Sequence, residues 1–173
     1  TEKKKTHPIK TIKILCSNKY FILITLAFAI IYTSLGLTGG SRIYYAKYVL
    51  GNEMINSTMT LFNYIPTILT IMLIPIFAKK FGKIKALFVG FLFYGAGLIL
   101  EIAGPVNLPM IYGGLVLQGI GHAALYSCLF AIVGDVVDYS EWKDGIREEG
   151  LTYSVTSFGQ KIGTGLGTAA LGW

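Results

Sequence analysis

Long apolar stretches alternate with short polar segments along the whole chain. A helix that crosses the hydrocarbon core of a bilayer, about 30 Å thick, needs about 20 apolar residues. Backbone groups in lipid must be satisfied within the segment, which favours helices, and the alternating ten-residue segments of a β-barrel do not occur in this sequence. The predicted helices cover about residues 20–48, 57–79, 85–103, 108–134 and 150–173.

This pattern predicts an all-α fold, a polytopic transmembrane helical bundle with four complete helices and most of a fifth. Residues 1–18 are basic and lack the cleavage site of a signal peptide, so they are predicted to be a cytoplasmic linker. Residues 19–173 form the predicted bundle, and Pro66 is expected to bend its second helix. Both ends of the sequence lead us to expect a piece of a longer protein.

Positive charge is concentrated on one side of the predicted bundle. Most lysines and arginines fall in residues 1–19, 79–85 and 143–147, whereas the connections 51–56 and 104–107 on the opposite side contain neither, and Arg42 and Lys47 approach that opposite side from the first helix. Cytoplasmic loops carry such an excess, so the linker and the charged loops are predicted to be cytoplasmic and the protein a multi-pass protein of the plasma membrane. The distribution of the net charge of +6 is therefore that of a membrane protein. The lipid bilayer is the expected partner, and no nucleic-acid partner is expected.

Composition and motifs further restrict the class of protein that this sequence can encode. Only 14% of residues are charged, whereas a soluble domain has about 25%. No nucleotide-binding, serine-hydrolase or zinc-peptidase motif occurs, and the glycines at 163, 165 and 167 lie inside a predicted membrane helix. We therefore expect neither an enzyme nor a metal site, and no cofactor beyond a transported ion.

The fifth helix has one polar face and one glycine face. The polar face steps by three and four residues through Ser154, Ser157, Lys161, Thr164 and Thr168. Lys161 lies about 16 Å from the cytoplasmic boundary at 1.5 Å per residue, too deep to reach the interface easily. It is either a substrate or coupling-site cation or a structural lysine paired with a carboxylate. Gly159, Gly163 and Gly167 favour close helix packing.

Two other helices carry candidate polar contacts. Asn63 lies on a polar face of the second helix, and the fourth helix presents Gln118, His122 and Tyr126 at steps of four. His122 is a substrate contact or a hydrogen-bonded packing residue, and Tyr126 stacks on a solute ring or packs. The third helix, which ends near Glu101, is interpreted as peripheral scaffold.

A charged segment links the fourth and fifth helices. Asp135 and Asp138 share a helix face at the end of the fourth helix, Glu141 follows, and Arg147 precedes the fifth helix. These charges either pair across helices or form a solvated loop. Their spacing does not match a calcium-binding loop.

This segment carries a family resemblance. The run Asp135-Val-Val-Asp-Tyr-Ser-Glu-Trp-Lys-x-Gly-x-Arg-x-Glu-Gly150, followed by Tyr153-Ser154 and Phe158-Gly-Gln-Lys161, resembles the glycoside–pentoside–hexuronide:cation symporters of the major facilitator superfamily. Tyr44-Tyr45-x-Lys-Tyr48-Val-Leu-Gly51 and Lys79-Lys-Phe-Gly-Lys83 extend it. The likeness covers nearly the whole chain as helices seven to ten and most of helix eleven, a partial major facilitator fold.

The resemblance implies roles for individual residues. Lys161 falls at the sugar and cation sites, Ser157 near the coupling cation, and Thr156 and Tyr126 at sugar contacts. Asn63 and His122, which are predicted from their helix faces and not from the resemblance, complete the predicted binding residues. The inner gate is predicted to comprise Asp135, Asp138, Glu141 and Arg147.

The implied function is sugar transport by symport with Na⁺ or H⁺, the sugar being a glycoside, pentoside or hexuronide. The family's main cation-binding acids lie in an N-terminal half, so that half of the same transporter is the implied partner. Two alternatives stay open, a non-functional truncated half-transporter and a major facilitator transporter for a solute other than a sugar. The residues leave the sugar, the cation and the oligomeric state open.

Overall fold

The computed structural model describes residues 18–145, 147 and 149–173, and the predicted linker lies outside this part except for Asn18. Every element of regular structure in the described residues is an α-helix, which confirms the predicted fold class. The helices are α1 Lys19–Tyr48, α2 Ile55–Ile71, α3 Ile74–Phe81, α4 Lys83–Ala103, α5 Leu108–Asp144 and α6 Glu149–Ala170.

Several of these helices have the length and hydropathy of membrane spans. Helices α1, α4 and α5 each qualify alone, and α2 with α3 qualifies as one bent span. Helix α6 is 22 residues long but less apolar, because serine, threonine, glycine and lysine occupy much of its surface. The chain is a membrane protein with several spans.

The second predicted span is broken into two helices. Helices α2 and α3 meet at an angle of 51° across Met72 and Leu73. Pro75 lies in the first turn of α3, where its missing N–H is tolerated. In a continuous helix its ring would clash with the backbone carbonyl of Ile71, four residues earlier. Pro66, the expected bend, lies inside α2, so the break occurs at the second proline.

Helix α5 extends ten residues beyond its predicted end near residue 134. Val133, Val136, Val137 and Ser140 are all buried, at the spacing of one helix face. Because this buried face continues, the charged run that follows residue 134 is helical as far as Asp144. Gly145 then adopts a positive φ of 66°, and its N–H bonds to the carbonyl of Glu141, a glycine-based helix end.

The described chain divides into two compact units. One contains the residues up to Gly40 and residues 132–173, and the other contains residues 41–131. Helices α1 and α5 contribute to both.

In the first unit, glycines allow α6 to approach the first part of α1. A methyl group on Gly163 would collide with the carbonyl oxygen of Ala29, and one on Gly167 with that of Thr33. The predicted packing role of the glycine row is thereby confirmed. At the end of this unit where α1 begins, the Asn18 amide donates to the Ser140 hydroxyl at 2.9 Å.

In the second unit, α4 and α5 are in the same kind of close contact. A methyl group on Gly97 would lie 2.5 Å from the carbonyl oxygen of Gly114, and one on Gly114 would lie 2.7 Å from the carbonyl oxygen of Gly97. A small apolar core lies where α1 ends and where α2 and α5 begin, and it includes Met59, Ile111 and Leu115. Tyr45 donates a hydrogen bond to the carbonyl of Pro105, so the end of α1 lies beside the α4–α5 connection.

Candidate solute-binding site

An open depression on α6 contains the predicted lysine. Its volume is about 410 Å³, and it is lined by Tyr153, Ser154, Ser157, Phe158 and Lys161. All five residues lie on one face of the helix because they recur at steps of three and four. Lys161 lies 12 residues after Glu149, about 18 Å along the helix. The structure therefore brings Lys161 and Ser157 together.

The hydroxyl groups of this face present acceptors. Ser154 donates to the carbonyl of Gly150 at 2.7 Å, and Thr168 donates to that of Thr164 at 2.8 Å. Donation to the helix's own carbonyls occupies the hydroxyl hydrogens and leaves oxygen lone pairs facing outward. The face thus combines one ammonium group with several acceptor oxygens, a set that suits a solute carrying hydroxyl groups.

The Lys161 side chain is exposed in this chain. Within residues 18–145, 147 and 149–173, no carboxylate oxygen lies within 4.0 Å of its Nζ. The paired structural lysine that the sequence allowed is therefore not found in this described part. Its ammonium group can donate up to three hydrogen bonds to a bound solute.

Thr156 lies on the other face of α6. It is fully buried, and its hydroxyl donates to the carbonyls of Thr152 and Tyr153 at 3.2 and 3.0 Å. It shares this face with Gly159 and Gly163. The structure does not bring Thr156 to the depression that contains Lys161, and its predicted sugar contact stays a prediction.

His122 and Tyr126 belong to an aromatic row in the second unit. The His122 ring centroid lies 5.0 Å from that of Tyr94 on α4 and 5.8 Å from that of Tyr126. His122 is buried, whereas Tyr126 is half-buried. Both predicted residues therefore lie side by side on α5, with Tyr94 as a third member.

Asn63 is engaged in helix packing. Its side chain is buried, and Nδ2 donates to the carbonyl of Leu115 on α5 at 3.1 Å. One turn later, Thr67 donates to the carbonyls of Asn63 and Gly119 at 2.8 and 3.0 Å. The polar face of α2 is thus bonded to α5, which favours a packing role for Asn63 over a solute contact.

Two of the predicted gate residues, Asp138 and Glu141, form a charge cluster around a third, Arg147. Its guanidinium lies 3.2 Å from Asp138, 2.5 Å from Glu141 and 2.6 Å from Glu149. The turn at Gly145 directs the chain back over the end of α5, so that one arginine reaches both helices. Asp135 is exposed one turn before Asp138. The hydrogen bonds that the guanidinium donates to Glu141, then to Glu149, raise the pKa of Arg147 above its ordinary value.

Sequence reasoning left Glu149 and Glu101 out of the predicted sites. Glu149 joins the Arg147 cluster, and its position two residues after Arg147 was a usable signal. Glu101 and Gln118 contain buried polar atoms without a hydrogen-bond partner, Oε1 and Nε2 respectively. Gln118 lies on the polar face predicted for the fourth helix, whereas Glu101 was visible only as a single carboxylate near the end of an apolar helix. Among the described residues, no cluster of three or more His, Cys, Asp or Glu could hold a metal ion.

Apolar spans and a polar helix face with a lysine at membrane depth are features of transporter bundles. The chain belongs to the family described as MFS/sugar transport protein, whose model matches residues 1–173. This membership confirms the family resemblance and supports transport rather than catalysis.

Three curated relatives illustrate the similarity. An isoprimeverose transporter of Lactiplantibacillus pentosus is 28% identical over 174 residues, which cover 99% of this chain and 36% of the relative. A glucuronide carrier protein homolog of Escherichia coli is 31% identical over 73% of this chain and 28% of its own length. A raffinose carrier protein of Pediococcus pentosaceus is 26% identical over 92% of this chain and 25% of its own length.

The chain thus spans about a third or less of the length of these relatives. No solved structure gives a significant match to it.

Proposed function

We propose that the natural gene product containing this chain is a secondary active transporter that moves a glycoside, pentoside or hexuronide inward together with Na⁺ or H⁺. The observation that carries this proposal is the exposed ammonium group of Lys161, about 18 Å along α6, in a depression lined by hydroxyl and aromatic side chains. A charge at such depth marks a solute path by default. The solutes in the relatives' names, isoprimeverose, glucuronide and raffinose, support the class of substrate.

The chemistry of the depression suits a sugar. Lys161 donates to sugar hydroxyls, and the Ser157 oxygen accepts from them. The exposed rings of Tyr153 and Phe158 offer apolar faces to the C–H groups of the sugar ring. A hexuronide would add a carboxylate, which pairs with an ammonium group through a charge-assisted hydrogen bond.

The binding face is completed by a second half of the transporter. Solute sites in such proteins form between repeats, near the middle of the membrane. The polar face of α6 would meet an N-terminal half that contributes the acidic residues of the cation site, with Ser157 close to the cation. Tyr126 and His122 are proposed as additional sugar contacts from α5.

The Arg147 cluster is proposed as the inner gate. Its ion pairs are exposed, so each contributes little to stability and exchanges partners easily. Alternating access requires such reversible contacts on the cytoplasmic side. In this topology the linker, the α3–α4 connection and the α5–α6 connection face the cytoplasm of a cell with the protein in its plasma membrane.

The test is uptake by the purified natural gene product in proteoliposomes. Radiolabelled isoprimeverose, raffinose and a glucuronide are offered under an imposed Na⁺ gradient, an imposed H⁺ gradient or neither. Accumulation above the outside concentration that depends on one gradient supports symport and identifies the cation. Equilibration without accumulation contradicts it, and no uptake of any sugar favours a non-sugar solute or a non-functional half-transporter.

A further inference from the structure

The interface of α4 and α5 contains a carboxyl group and an amide that each have one buried atom without a hydrogen-bond partner. Oε1 of Glu101 and Nε2 of Gln118 are both sealed from solvent, and neither has a partner in the described part of the chain. Gln118 is 1% exposed, while Glu101 is half-buried. Nearly all buried polar groups in proteins are paired, so such atoms need a specific explanation.

Glycines bring the two side chains into this interface. A methyl group on Gly114 would lie 2.8 Å from Cγ of Glu101, and one on Gly97 would lie 2.8 Å from Cγ of Gln118. Each long polar side chain therefore lies across a glycine of the opposite helix. The backbone packing of the two helices therefore holds the two polar groups close to each other.

The charged and titratable groups facing Glu101 come from two neighbouring helices. Arg42 and Tyr45 of α1 interact with it electrostatically. From α5 it faces Gln118, and His122 lies one turn further along and interacts with Arg42. Tyr94 of α4 and Tyr64 of α2 interact with Arg42 as well. Arg42 makes no ion pair within 4.0 Å among the described residues.

The charged form of Glu101 is energetically unfavourable in this position. A partly buried carboxylate loses hydration, and here only the Gln118 amide and the charge of Arg42, which lies beyond ion-pair distance, offset that loss. A neutral carboxylic acid has no such cost, and it both donates and accepts hydrogen bonds, as a carboxamide does. Gln118 can donate to the carboxylate, and it can both donate to and accept from the acid form.

We propose that Glu101 is a proton-binding site of the transporter. A proton from water on the outer side adds to Oε1 and forms the neutral acid beside Gln118. When the proton leaves for water, the carboxylate is drawn toward the guanidinium of Arg42, so proton binding and release shift α4 against α1. This inference rests on the proposed transport function and assigns H⁺ as an ion that the C-terminal half itself binds.

The site can be tested without transport. Infrared difference spectra of the purified natural gene product in liposomes, recorded while the pH is stepped, should contain the C=O band of a protonated carboxyl group that disappears at high pH. Glu101→Gln should abolish this band, and Glu101→Asp should shift it. Glu53→Gln is the matched control, since Glu53 is an exposed glutamate paired with Lys47 at 2.7 Å, and it should retain the band.

A second measurement follows proton movement. Addition of a transported sugar to lightly buffered proteoliposomes should cause alkalinisation of the medium in the wild type and in Glu53→Gln, and this should be lost in Glu101→Gln. Persistence of the titrating band or of sugar-driven proton uptake in Glu101→Gln would overturn the proton site. If the wild type moves no sugar but shows the Glu101 band, the transport proposal fails and the proton site stands.

Discussion

Nη1 of Arg147 lies 2.5 Å from Oε2 of Glu141 on α5, while Nη2 of the same guanidinium lies 2.6 Å from Oε1 of Glu149 on α6. One arginine between two helices thus contacts the last turn of one and the first turn of the next. Because all three side chains are about half exposed, this arrangement suits a contact that opens and closes.

Removal of this contact should change transport rate more than folding. We expect Arg147→Ala to alter the maximal uptake rate with little change in apparent sugar affinity or melting temperature, because exposed ion pairs contribute little to stability. The exchange of Arg147→Glu with Glu141→Arg should restore part of the rate. Lys143→Ala, which removes a nearby exposed charge, is the control. A large fall in melting temperature for Arg147→Ala would contradict a gate role.

The arginine cluster should respond to salt and not to alkaline pH. The pKa of Arg147 is raised by Glu141 and Glu149, so its stabilising contribution is complete below the unfolded pKa and is lost only as the pH rises through the folded one. Both values lie far above the range from about pH 7 to about pH 10. The difference in melting temperature between wild type and Arg147→Gln should therefore be constant there. This difference in melting temperature should shrink as ionic strength increases from about 0.1 to about 1 M, because the Debye length falls from about 10 to about 3 Å.

Lys161→Ala should weaken sugar binding strongly. A hydrogen bond to a charged group contributes about 1.5–3 kcal/mol, so the apparent affinity should fall about 10- to 100-fold. Isothermal titration of the natural gene product with the transported sugar measures this change. Lys85→Ala is the matched control, an exposed lysine at the start of α4. Unchanged affinity in Lys161→Ala would remove Lys161 from the site.

Two glycines of α6 should respond in opposite ways to the same substitution. In Gly163→Ala the new methyl group meets the backbone carbonyl of Ala29, whereas in Gly165→Ala nothing lies within 4 Å. Overpacking costs about 1–3 kcal/mol, while alanine in place of an unconstrained helical glycine gains up to about 1 kcal/mol. Thermal unfolding in detergent should thus show a lower melting temperature for Gly163→Ala and an unchanged or higher one for Gly165→Ala. Equal effects would argue against close contact of α1 with α6.

Asn63 should behave as a packing residue. Asn63→Leu and Thr67→Val remove bonds to α5 and should each lower stability by about 1 kcal/mol, the usual scale for bonds between membrane helices. Thr60→Val is the control, since the Thr60 hydroxyl bonds to the carbonyl of Asn56 within α2. Apparent sugar affinity should be unchanged in all three variants. A loss of affinity in Asn63→Leu without a loss of stability would restore the solute contact.

The sequence by itself determined which segments are helices and which residues share a face. Apolar length and period predicted the helical class, and steps of three and four predicted both the polar face with Lys161 and the glycine face with Gly163. These features follow from helix geometry, which is local and repeats every 3.6 residues. The charged motif was specific enough to identify the family resemblance, since it fixes residue types at fixed spacing.

Only the tertiary structure decided what each face meets. Asn63 and Lys161 both appeared as polar residues on membrane helices, yet the amide of Asn63 bonds to Leu115, 52 positions away, while Lys161 faces an open depression. The juxtaposition of Glu101 and Gln118 depends on the glycines that bring α4 and α5 together. Periodicity identifies a face, but a neighbour across that face is set by contacts between residues distant in sequence, which no local pattern encodes.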